Sequence, residues 1–143
     1  MQPSSRMLTG LIVSILIILT AQGWTGDFIN LFALFPIGSV GHTLGGFIQA
    51  ITNVGRMEIT HAIIGTILIV LAIVILFIAF RFDANKSVRI FAIIGFLGIL
   101  SAAYGGISFV LSGFQNNGSS AQMGGSFIGS YASYFLVLYF NKR

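Results

Sequence analysis

Four runs of apolar residues set the layout of the chain, at residues 7–23, 57–80, 90–112 and 121–140. Each is near the ~20 residues that cross ~30 Å of hydrocarbon as an α-helix. Between them lie a long segment at 24–56, a short basic one at 81–89 (RFDANKSVR) and a short neutral one at 113–120 (GFQNNGSS). The pattern predicts an all-α integral membrane four-helix bundle, forming a single transmembrane domain over residues 1–143.

The long segment has a pattern of its own. Leu44, Phe47, Ile48, Ile51 and Val54 recur at helical spacing, with Thr43, Gln49, Thr52 and Asn53 on the other sides. This predicts a short surface helix over about 43–54, lying in the first outer loop on the membrane surface. Pro36 and Gly38 fit a turn before it, and Trp24 with several phenylalanines fits an interfacial aromatic belt.

Composition sharpens the class. Of 143 residues, 56% are hydrophobic and only 7% charged, and the mean hydropathy is +0.98. Soluble domains carry about 25% charged residues, and a soluble surface this apolar would aggregate. The lipid bilayer is the solvent that suits it. The absence of cysteine excludes disulfides, thiolate metal sites and thiol catalysis.

The net charge of +4 reports topology rather than nucleic acid, because no basic stripe exists to follow a phosphate backbone. Arg6, Arg81, Lys86, Arg89, Lys142 and Arg143 fall on one side of a four-span chain, and only Arg56 on the other, with Asp27. By the positive-inside rule this predicts a multi-pass protein of the cell membrane with cytoplasmic N- and C-termini. Arg6, the following Leu/Ile-rich run and Thr20-Ala21-Gln22 fit a signal peptide loosely; the run is read as an uncleaved span.

Two spans carry small residues at helical spacing. Gly95, Gly98, Ala102, Gly105 and Gly106 mark the third, and Gly125, Gly129 and Ser133 the fourth. Such stripes let membrane helices approach closely. The sharper alternative is that some of these glycines make space for a flat cofactor.

Chemistry-bearing residues are few. Asp27 and Asp83 fall in loops. Glu58 and His61, in GRMEITHAIIG, sit three residues apart on one helix face at the entry to the second span, with Gly65 one turn deeper. Ionisable groups inside a span are costly unless partnered, and are functional candidates for that reason. Histidine in a helical bundle is also a common axial ligand of haem iron, and Gly65 would leave room for a porphyrin face. The structural alternative is that Glu58 is hydrated or pairs with Arg56, while His61 hydrogen-bonds a neighbouring helix. His42 is a loop histidine. Met123, at the start of the fourth span, is either a soft iron ligand or packing filler. No nucleophile–histidine–acid set, phosphate loop or carboxylate cluster is present. The serines of the spans (Ser14, Ser101, Ser108, Ser126, Ser130 and Ser133) give a channel only weak polar lining.

Glu58-Ile59-Thr60-His61, followed by Ala62-Ile63-Ile64-Gly65, resembles the second-helix motif of the heme A synthase family, an acid, two residues and a histidine. The Gly23-Trp24 segment with its surface helix, and YGGISFVLSG at the end of the third span, are similar to that family's first outer loop and the stretch before its fourth helix. The length matches the short four-helix, half-size type. The family's arginine after the histidine is replaced by Ala62, its outer-loop cysteine pair is absent, and the fourth span has no histidine. The resemblance implies haem as cofactor, His61 as a metal ligand to haem iron, Glu58 as the functional acid, and Met123 or His42 as the second ligand.

Two functions are thus expected. One is a haem-binding membrane protein of heme A synthase type, linked to respiratory electron transfer or haem modification. The other is a non-catalytic accessory subunit of a membrane respiratory oxidase complex, bound to lipid and to other membrane subunits or to further copies of itself. A small transporter ranks below both.

Overall fold

A computed structural model describes residues 3–35, 43–82 and 84–141. The side chains of residues 3–5 are not described. His42, Pro36, Gly38, Asp83, Lys142 and Arg143 lie outside the described residues. Five α-helices, and no strand among the described residues, make up the chain: α1 Pro3–Phe32, α2 Leu44–Val54, α3 Arg56–Arg81, α4 Lys86–Leu111 and α5 Asn117–Asn141.

The second, third and fourth apolar runs are found as helices extended by one to four residues at most ends. The first departs further. Helix α1 continues nine residues past Gly23 and takes in Trp24, Asp27 and Phe32, which the sequence reading gave to the loop. No proline interrupts this stretch. Its two glycines are held in tight packing, Gly23 against Phe127 of α5 and Gly26 against His61 of α3. Trp24, Phe28 and Phe32 then form an i, i+4 ladder on its outer side, with ring centroids 6.3 and 4.8 Å apart. Asp27 is exposed on α1.

The surface helix is present as α2. The Thr43 hydroxyl caps it, accepting from the Gly46 amide at 3.1 Å. Gly55 then separates α2 from α3 with φ +135° and ψ −175°, a conformation essentially reserved for glycine. Only part of the expected apolar face is covered. Phe47, Ile51 and Val54 pack with Ala50 against Val110, Phe114, Phe109 and Phe35, whereas Leu44 and Ile48 are exposed.

The four long helices close a ring. α1 packs on α3 and α5, and α4 packs on α3 and α5; α1 and α4 lie diagonally opposite, as do α3 and α5. Ile12, Ile15, Ala72, Ile75, Ala92, Tyr134 and Val137 fill the centre. Three of the helices are long and apolar enough to cross a membrane: α1 over Arg6–Phe32, α3 and α4.

The closest packing is between α4 and α5, where the glycines of α4 are used. A Cβ on Gly95 would lie 2.8 Å from the Tyr134 ring, and one on Gly105 3.0 Å from the Ser119 carbonyl. At Gly98 it would run into the Ser130 hydroxyl. Polar bonds add to the seam: Ser126 donates to Ser101 Oγ at 2.9 Å and Gln122 donates to the same oxygen at 3.2 Å. The α5 glycines behave differently. Gly124, Gly125 and Gly129 face outward with nothing within 4 Å of an added Cβ.

Candidate functional site at the crossing of α1 and α3

Helix geometry puts Glu58, His61 and Gly65 on one side of α3. That side faces the C-terminal part of α1, where Gln22, Thr25 and Gly26 share a face at i, i+3 and i+4. Gly26 lets the helices meet closely: a Cβ there would lie 3.1 Å from His61 Cε1. Both ring nitrogens of His61 are engaged by α1. Thr25 Oγ1 lies 3.0 Å from Nδ1, and Gln22 Nε2 lies 3.0 Å from the ring Nε2.

The network assigns the proton. The Thr25 hydroxyl has one hydrogen, and it goes to the Gln22 carbonyl oxygen at 3.0 Å. Thr25 can then only accept from the ring, so Nδ1–H of His61 donates to Thr25 Oγ1. Nε2 keeps its lone pair and accepts from the Gln22 amide. With the Gln22 amide in this orientation, His61 is bonded as the Nδ1–H tautomer and held at both ends. Thr25 is only 7% exposed. One atom of the clasp is left over: the buried Oε1 of Gln22 has no hydrogen-bond partner.

Glu58 is half-buried on the same face. Among the described residues it makes no hydrogen bond or ion pair. The expected alternative pairing with Arg56 is not formed, because two residues along a helix are about 200° apart around its axis, and Arg56 is exposed on the far side.

No protein-family model, curated protein or solved structure matches this chain.

The remaining expected site residues are not gathered here. Gly65 is next to His61, but the Gln22 amide fills its open side, with Nε2 3.4 Å from where a Cβ would stand. Met123 packs on α4, its sulfur 3.3 Å from the Cβ position of Gly106 and its Cγ 3.0 Å from that of Gly105. It projects from α5, on the diagonal from α3, and is not brought to His61. His42 lies outside the described residues. No group of three or more His, Cys, Asp or Glu is placed to hold a metal ion among the described residues.

An axial bond to haem iron would require the His61 Nε2 lone pair, and Gln22 takes it. As folded, the ring does not fit that role. The two residues missed by sequence reading are Gln22 and Thr25. Their signal was two polar side chains at helical spacing across the end of an apolar run; Gln22 was read within a loose cleavage pattern, and Thr25 fell in the 24–56 segment.

Proposed function

We propose that the chain is a multi-pass cell-membrane protein with four spans, α5 being the fourth, and with cytoplasmic termini. Its role is that of an accessory subunit of a membrane complex, a respiratory oxidase in the expectation set by its sequence, with no chemistry of its own. One observation carries this reading: the histidine of the second span spends both ring nitrogens on α1. In the α4–α5 seam Gln122 and Ser126 likewise spend their donors within the bundle, on Ser101. Small residues and internal hydrogen bonds are what hold helices together where lipid removes the hydrophobic drive. The outward Gly124, Gly125 and Gly129 suit close approach by a helix of another subunit or of a second copy.

The second reading is a haem-binding protein of heme A synthase type, with His61 as ligand and Glu58 as its acid. It is favoured by Gly26 and Gly65, which border the clasp without side chains. Swinging the Gln22 side chain away would free Nε2. When bound, such a haem would supply electron transfer or methyl oxidation.

The visible spectrum of protein purified in mild detergent, oxidised and then reduced, separates the two. The accessory role predicts no Soret band, even after haem is supplied, and co-purification of defined membrane subunits. A Soret band with sharp reduced α and β bands, lost in His61→Ala, overturns it in favour of haem.

A further inference from the structure

Helices α2 and α3 diverge from Gly55, and the wedge between them holds an apolar cleft of about 220 Å³. Ile48 and Ile51 of α2 and Ile59, Ala62 and Ile63 of α3 line it. Two threonines also face it, but each hydroxyl proton is spent on its own helix: Thr52 donates to the Gln49 carbonyl at 3.0 Å and Thr66 to the Ala62 carbonyl at 3.0 Å. Their oxygens can still accept, but the rest of the lining is alkyl, which suits an alkyl chain.

A charge stands at the Gly55 end of α3, beside the residues that line this cleft. Arg56 is three and seven residues before Ile59 and Ile63, on the adjoining strip of α3, and is exposed. Among the described residues it makes no ion pair. Glu58, the nearest acid in sequence, is about 200° round the helix. A guanidinium that favours bidentate oxyanions thus adjoins, by helical register, the strip of α3 that lines the cleft.

We infer that this cleft is a binding site for one anionic phospholipid, its phosphate on Arg56 and an acyl chain between α2 and α3. The inference rests on the membrane reading above. A zwitterionic lipid can enter the same cleft but carries a compensating positive charge that weakens the contact with Arg56. An exposed pair of one guanidinium and one phosphate is worth up to ~1 kcal/mol, a factor of about five in affinity.

The test is native mass spectrometry of the full-length protein released from detergent, titrated with phosphatidylglycerol and with phosphatidylcholine. Alkaline carbonate extraction of the expressing membranes is done first. Extraction of the chain into the supernatant would overturn the membrane reading, and the lipid site with it. For a chain retained in the membrane, one phosphatidylglycerol adduct is expected, preferred about fivefold over phosphatidylcholine. Arg56→Gln should erase the preference while leaving a weak adduct. Ala62→Phe, which fills the cleft from an exposed position, should remove both adducts without changing the helical circular dichroism. Equal binding of the two lipids, an unchanged preference in Arg56→Gln, or displacement by millimolar inorganic phosphate alone would overturn the lipid site and leave the membrane reading standing.

Discussion

Thr25 Oγ1 stands 3.0 Å from His61 Nδ1 while its own proton is committed to the Gln22 carbonyl. With its proton placed there, this hydroxyl accepts from Nδ1 of His61, the only histidine among the described residues. It leaves the ring nitrogen on the opposite side, Nε2, as the acceptor for Gln22.

Histidine-selective 15N spectra in detergent should show His61 as the Nδ1–H tautomer, with an unprotonated Nε2. An Nε2–H tautomer would mean that the Gln22 amide is turned, with Oε1 accepting from the ring, and that Thr25 donates to Nδ1.

Thr25→Val keeps the shape of the side chain and removes the acceptor. The buried Nδ1–H then has no partner, which costs about 1–3 kcal/mol in proteins generally, and about 1 kcal/mol is expected against a membrane reference state. The thermal midpoint in detergent should fall accordingly. Thr25→Ser should restore it, and an equal loss in Thr25→Ser would show that the methyl group, not the hydroxyl, matters.

The two glycine sets should respond in opposite ways. Gly98→Ala drives a methyl group into Ser130 and to 3.2 Å from the Ser126 carbonyl, so α4 and α5 must part, at a cost of about 1–3 kcal/mol. Gly125→Ala and Gly129→Ala meet open space and should leave the isolated protein as stable as before. In cells, the bulkier Gly125→Leu should leave the bundle intact but reduce co-purification of partner subunits. Undiminished co-purification would remove this face from the accessory reading.

Gly55→Ala places a Cβ on a backbone at φ +135°, with an expected loss of about 1–3 kcal/mol. The strain is local to the joint between α2 and α3. Hydrogen exchange should therefore rise first in α2, with the α4–α5 seam still protected. Uniform loss of protection would show that α2 and the ring unfold as one unit.

Much of this architecture was legible along the chain. Apolar runs of membrane length gave the helices at 57–80 and 90–112, and the periodicity of Leu44 to Val54 gave α2. The end of α1 was not legible, because Gly23, Gly26 and Asp27 look like loop residues until Phe127 and His61 are packed against the two glycines. The α4 glycines were read as packing residues, and they are. The matching α5 glycines looked equivalent but face outward, since spacing along one helix does not say which face its neighbours occupy.

The same division holds at the site. Sequence singled out Glu58, His61 and Gly65, because an acid and a histidine at the edge of an apolar run are costly enough to need a reason. It also determined, through composition, that the surface of this protein suits lipid rather than water. Only the tertiary structure decided what His61 bonds to, that Gln22 fills the space beside Gly65, that Met123 turns to α4, and that Glu58 and Arg56 stay apart. The physical reason is that hydropathy and period are properties of one helix, whereas a hydrogen bond across 36 or 39 residues depends on which helices become neighbours.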